Sequence, residues 1–142
     1  MSSRPQLGVL LAVLLQSTSA LAADLVVKVS GIRSDSGEIG CALCSTADGF
    51  PMEASRAVVE WQPAKQGGVE CRFTGLRRGI YAVAVSHDLN GNHRTDTNVF
   101  GFPTEDWGVS NNVRPSLRPP RFDEAQVGIG ERNVEIQVKV GS

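Results

Sequence analysis

The chain has 142 residues, with 14 Lys and Arg against 15 Asp and Glu, a formal charge of −1, and 41% hydrophobic against 20% charged residues. That balance suits one ordinary globular domain and is unlike a disordered or repetitive chain. It also lacks the clustered basic excess that phosphate binding demands, so no nucleic-acid partner is expected.

Arg4 precedes an apolar run over residues 7–15, which gives way to Gln16, Ser17, Thr18 and Ser19 and then to Ala20, Leu21 and Ala22. Charged, apolar and small-residue regions in that order read as a secretory signal peptide over residues 1–22, with cleavage expected after Ala22. Residues 23–142 are then a single β-sandwich domain, periplasmic or secreted. A spanning helix needs about 20 apolar residues, and Gln16 interrupts the run well before that. No later stretch is long enough, so no transmembrane segment is expected in the mature chain. No Cys follows the small residues, which leaves no reason to expect a lipid anchor.

The next segments read as short strands. Over residues 25–30, Leu25, Val27 and Val29 alternate with Lys28 and Ser30, a period of two that suits a half-buried strand. After the turn residues Ser34, Asp35, Ser36 and Gly37 comes a run over 39–44, followed by runs over 57–61, 69–73 and 80–87. The clearest strand covers 133–140, where Val134, Ile136, Val138 and Val140 alternate with Glu135, Gln137 and Lys139. Residues 127–130 fit a short edge strand, and 122–125 at most one helical turn. No window carries a helical stripe. Short strands separated by Gly, Pro, Asn and Asp predict an all-β fold, an antiparallel Greek-key β-sandwich. The run from Phe73 through Gly75, Gly79 and Tyr81 to Val83 resembles the strand, tight turn and strand of transthyretin-like sandwiches, and the expected architecture is transthyretin-like or immunoglobulin-like.

Three cysteines in an exported chain leave one unpaired. Cys41 shares a strand face with Ile39 and Leu43, and Cys71 shares one with Val69 and Phe73, so a Cys41–Cys71 disulfide inside the sandwich is expected. The competing reading is a redox Cys41-x-x-Cys44 motif. Residues three apart on a strand lie roughly 10 Å apart, beyond disulfide reach, and such motifs sit at helix starts. Cys44 is left free, without an assigned role.

The connection after the strand over 80–87 carries the functional signal. Asp88, Asn90, Asn92 and Asp96 stand at relative positions 1, 3, 5 and 9, the spacing of Asp-x-Asx-x-Asx calcium loops, with the Arg94 carbonyl at position 7 and Asn98 available at position 11. Hard oxygen donors suit calcium better than a transition metal. Val99 stands where such loops carry Glu, and His93 where the sharp turn takes Gly. With two carboxylates, weak affinity is expected, on the order of 10⁻⁴–10⁻³ M. An ion-free hairpin is the alternative, because Asn90-Gly91 is a turn pair and Asx residues brace loops by local hydrogen bonds. Zinc on His87 and His93 lacks the further nitrogen or sulfur ligands it needs.

Beyond the loop, residues 101–126 form a long connection, which in compact domains is functional or poorly ordered. Phe100, Phe102, Trp107 and Phe122 argue for packing over one end of the sandwich. His87, Glu105, Trp107, Ser110, Asn111, Asn112 and Arg114 are then candidates for a ligand surface, a shallow groove or lid, with a plain packing cap as the alternative. Residues 108–112 lack the closing Gly of a nucleophile elbow. Glu105 and Asp106 are adjacent and diverge on an extended chain, so they do not make an acid/base pair.

Gly31-Ile32-Arg33, Asp48-Gly49-Phe50-Pro51, Gly79-Ile80-Tyr81, His87-Asp88-Leu89-Asn90-Gly91-Asn92, Asp96-Thr97-Asn98, Phe100-Gly101-Phe102-Pro103, Gly108-Val109-Ser110-Asn111-Asn112 and Pro119-Pro120-Arg121-Phe122 together resemble the bacterial family domain of unknown function 2141 over nearly the whole mature chain. That resemblance implies a small exported β-sandwich, and it supplies neither a reaction nor a substrate. Members of the family often carry Gly where this chain has His93. Two functional expectations follow. One is an exported non-enzymatic binding or envelope module in which a calcium loop presents residues 100–112 to a protein or small ligand. The other is a metal-assisted hydrolase using His87, Asp88 and Glu105 with a polarised water. No catalytic residues are assigned, because no nucleophile, base and oxyanion arrangement is recognisable.

Overall fold

The structure, a computed structural model, describes residues 2–6, 8–15, 22–53 and 56–142. The polar and small-residue end of the expected leader, 16–21, lies outside the described residues. Among those described, no buried apolar side chain precedes Ala23. The strands are β1 (Ala23–Ile32), β2 (Glu38–Cys44), β3 (Val58–Pro63), β4 (Gly67–Leu76), β5 (Gly79–Asp88), β6 (Trp107–Val109), β7 (Gln126–Ile129) and β8 (Val134–Lys139). Single 3-10 turns cover Ser110–Asn112 and Phe122–Glu124, and the described residues contain no α-helix. None of their helices could cross a membrane.

The strands form two sheets, β4-β1-β8 and β3-β2-β5-β6, with β7 pairing β5 as well. Alternation does what the sequence implies. Leu25, Val27 and Val29 on β1 turn inward, as do Ile39, Cys41 and Leu43 on β2 and Val83 and Val85 on β5, and they meet in one core with Phe73, Val127, Ile129 and Val138. Burying each such side chain contributes roughly 1.5–3 kcal/mol. Cys41 on β2 and Cys71 on β4 are bonded across that core, with their Cα atoms 6.5 Å apart, so the disulfide ties one sheet to the other. Cys44 is free and buried, and burial raises its thiol pKa.

One pairing corrects the antiparallel expectation. β8 runs parallel to β1, Val27 opposite Ile136 and Val29 opposite Val138. The chain leaves β7 in the second sheet and crosses to the first, where Asn133 Oδ1 accepts the Asp24 N–H at 2.9 Å at the start of the β1–β8 pair. A crossover between sheets sets strand direction by where the chain arrives, which local alternation does not encode.

β6 and β7 lie end to end along the same edge of β5: β7 pairs residues 79–82 and β6 pairs 84–86. Val83 falls in the gap. Its N–H is taken by the buried Ser110 hydroxyl oxygen at 2.9 Å, and that hydroxyl donates to the Ala125 carbonyl. One side chain thereby replaces the missing strand partner, as a buried amide requires.

Candidate functional site

β5 runs one residue further than its apolar alternation suggests, so Asp88, the expected first loop residue, is the last of the strand, and it is 0% exposed. The chain then curls. Gly91 (φ 70°) and His93 (φ 56°) both adopt the left-handed region, which brings the following amides back toward the strand end. Asp88 Oδ1 accepts from the Gly91 N–H at 2.9 Å and the Asn92 N–H at 3.3 Å, and Oδ2 accepts from the His93 N–H at 2.6 Å. Asn90 Oδ1 accepts from the Asn92 N–H, and Asn92 Oδ1 from the Arg94 N–H. The two amide groups, Nδ2 of Asn90 and of Asn92, donate to Asp96 at 2.7 and 2.8 Å. Asp88, Asn90, Asn92 and Asp96 are thus joined in one hydrogen-bonded loop. Asn98 is not part of it, because its Oδ1 accepts from Phe100 and Phe102 in the next turn.

Three residues outside the loop hold it in place. Glu105 lies beneath it, 7% exposed, accepting from the Leu89 N–H at 3.0 Å and the Asp96 N–H at 3.5 Å, which staples both ends. The His93 ring stacks on Trp61 with centroids 3.9 Å apart and planes 14° apart, and its Nε2 lies 2.7 Å from Glu38 Oε2. Trp61 reaches this position because Gly40, opposite it on β2, has no side chain: a Cβ there would lie 2.6 Å from the indole. Donor atoms of Glu38, Asp88 and His93 consequently lie within 4.8 Å of one another. The adjacent carboxylates do diverge, for Asp106 turns the other way into a paired contact with the Arg33 guanidinium. That hydrogen bond, followed by the charge of Asp106, raises the Arg33 pKa.

The residues expected at a ligand rim sort into two groups. His87, Glu105 and Ser110 are buried. His87 Nε2 sits 2.6 Å from the Ser36 carbonyl, Glu105 serves the loop, and Ser110 bridges the strand gap. Asn111 and Asn112, exposed and in the left-handed region, act as clamps: Asn111 Nδ2 donates to the Glu124 and Gln126 carbonyls, and Asn112 spans the Gln137 carbonyl and the Lys139 N–H. Arg114 lies 4.1 Å over the Trp107 ring and donates to the Trp107 carbonyl. Among the seven, Asn112 and Arg114 border a hollow of about 490 Å³ beside Arg33 and Lys139, while Trp107 borders a groove of about 690 Å³ on the outer face of the second sheet. Its floor is small by construction, since one cross-strand row reads Trp61, Gly40, Ser86, Trp107 and the next Val59, Ala42, Ala84, Val109. Loop residues 93–97 also line it.

Sequence reasoning placed the loop oxygens but missed Glu38 and Trp61, whose proximity depends on strand register, and put Glu105 at a rim rather than under the loop.

Fold and site define a disulfide-crosslinked, two-sheet all-β protein with a braced acidic loop beside a shallow groove. The chain belongs to the family described as uncharacterized proteins conserved in bacteria, domain of unknown function 2141, whose model matches residues 27–137. No curated protein and no solved structure matches it.

Proposed function

We propose that this is an exported, non-enzymatic binding or envelope module whose 88–98 loop takes calcium weakly. The observation that carries the reading is the curl around Asp88. A buried carboxylate gathering three successive amides, with His93 in the left-handed turn position, is how an Asp-x-Asx-x-Asx chain directs alternate oxygens inward. Turning over the Asn90 and Asn92 amides would present two oxygens where two N–H groups now face Asp96. Glu38, whose carboxylate lies near Asp88, is an acidic group available in place of the absent position-12 Glu. The ion-free hairpin has its own support: those same amides already neutralise Asp96 by hydrogen bonding. The Cys41–Cys71 disulfide and a core whose first member among the described residues is Ala23 favour an oxidising, exported location. The mainly antiparallel pairings favour Greek-key relatives of the transthyretin-like and immunoglobulin-like kind. The groove beside Trp107 is the surface offered to a small ligand or protein.

A hydrolase would need His87, Asp88 and Glu105 to converge on one substrate, whereas each is committed to a different set of backbone groups. The test is thermal unfolding from chelator to several millimolar calcium, for the unmutated chain and for Asp96→Asn. Calcium binding to the folded state alone raises stability, by about 2.7 kcal/mol at one hundred times the dissociation constant. The rise should be largely lost in Asp96→Asn. A flat Tm in the unmutated chain retires the ion and leaves the braced hairpin.

A further inference from the structure

Residues 96–104 form a finger whose backbone closes on itself. The Thr104 N–H donates to the Asp96 carbonyl at 2.8 Å, the Asn98 N–H to the Phe102 carbonyl at 2.8 Å, and the Gly101 N–H to the Asn98 carbonyl at 2.9 Å. Asn98 Oδ1 takes the N–H groups of Phe100 and Phe102 at 2.9 and 3.1 Å. Pro103 has no N–H, which leaves Val99 as the only donor between residues 98 and 103 without a partner in the finger. The side chains at this tip are apolar and turned out: Val99 is 94% exposed, Phe100 82% and Phe102 54%.

We propose that this finger is a membrane-docking element that inserts Val99, Phe100 and Phe102 into the interfacial region of a phospholipid bilayer. Two observations select lipid over protein. The three side chains offer about 400 Å² of exposed surface, taking roughly 150–250 Å² for each aromatic residue, against the roughly 800 Å² that each partner of a stable protein complex buries. A tip whose amides already have partners also enters the acyl boundary at lower cost, because lipid offers them none. At the tip of the finger, residues 98–102, four of the five N–H groups have such partners. Insertion of a few apolar side chains gives weak, reversible attachment of the interfacial kind. Nothing in this proposal requires an ion in the neighbouring loop.

Residues 9–15 also carry exposed apolar side chains, so vesicle binding by itself is not the readout. Phe100→Trp and the control Leu117→Trp, at an exposed position outside the finger, are mixed with phosphatidylcholine vesicles carrying a nitroxide-labelled lipid. Emission is compared with that of the unmutated chain, whose Trp61 and Trp107 set the background. Insertion predicts a blue shift and a quenching by nitroxide about fivefold stronger at position 100 than at 117, consistent with a tip lying in the headgroup and acyl boundary. Equal quenching at the two positions overturns the proposal. So does concentration-dependent self-association of the unmutated chain that Val99→Ser/Phe100→Ser abolishes, since the occupant would then be a second copy. Both substitutions are at exposed sites, and an unchanged Tm shows that the fold is intact.

Discussion

Asp88 and Asp96 are both loop carboxylates, yet they stand in opposite positions with respect to replacement. Asp88 is a fully buried acceptor facing three backbone donors. In Asp88→Asn one acceptor oxygen becomes an NH₂ group, which points its hydrogens at the N–H of His93 or at those of Gly91 and Asn92. A buried amide that loses its partner costs about 1–3 kcal/mol. Asp96 instead faces two exposed side-chain amides, whose N–H groups water can serve when an acceptor oxygen is lost. Without calcium, Asp88→Asn should therefore destabilise by that amount, and Asp96→Asn should lie within about 0.5 kcal/mol of the unmutated chain, as surface changes generally do. Urea unfolding in chelator decides it, and equal losses in the two variants would mean that the carboxylate of Asp88 does not depend on its three amides. The spacing of oxygens in the sequence named all four loop residues. It could not rank them, because burial at Asp88 comes from the strand it ends and from Glu105 beneath.

Among the elements, legibility followed the strength of local alternation. β8 announces itself because apolar and polar residues alternate over six positions, and β1 because Leu25, Val27 and Val29 keep the same period with Val26 as the one apolar intruder. β6 does not, since it is three residues long with Gly108 in the middle, and its existence depends on the edge of β5 and on the Trp107–Gly141 hydrogen-bond pair. Of the four aromatic residues expected to pack the long connection over one end of the sandwich, Trp107 and Phe122 do so, against Ala82, Val109 and Ala125, whereas Phe100 and Phe102 stand exposed. The order of the later part of the connection has a local cause in the turn at Phe122–Glu124. Glu124 accepts from the Arg121 N–H and from both terminal guanidinium nitrogens of Arg118. The Arg118 hydrogen bonds, then the Arg121 amide, lower the Glu124 pKa from 4.5 to about 2. A lowered folded-state pKa means that the charged form favours the folded turn, so this contribution is complete above pH 4.5 and is lost as pH falls from there toward 2. The side-chain carboxyl carbon of Glu124, followed by NMR, should titrate near the lower value, and the amide of Arg121 should lose protection from exchange over the same interval. In Arg118→Gln the midpoint should move back toward 4.5. A midpoint unmoved by that substitution would show that Arg118 does not hold the carboxylate.

For the molecule as a whole, the question is what keeps two sheets of unequal width in one register. Few backbone hydrogen bonds pass between them: the Trp107–Gly141 pair joins the β6 edge to the end of β8. The remaining constraints are side-chain ties at this edge, Asn112 on β8 and Arg33 on Asp106, the shared apolar core, which is not directional, and the one covalent link through it. Cys41 sits opposite Val85 within the second sheet and Cys71 opposite Val27 within the first, so the bond joins the middle of an inner strand of one sheet to the middle of an edge strand of the other. The sequence exposed this link because both cysteines lie on apolar strand faces, while which sheet each strand would join was beyond local pattern. Closing a 30-residue separation removes unfolded-chain entropy, which stabilises by roughly 3–4 kcal/mol on the chain-entropy model. Cys41→Ser and Cys71→Ser should each lose that amount plus the effect of a buried hydroxyl, and the double variant should lose much less than the sum, because the second change removes no further crosslink. Cys44→Ser, which breaks no bond, should cost less than either. A reductant should lower the Tm of the unmutated chain and of Cys44→Ser, and leave Cys41→Ser unchanged. Full additivity of Cys41→Ser and Cys71→Ser in oxidising buffer would mean that the two sheets are held by the core alone.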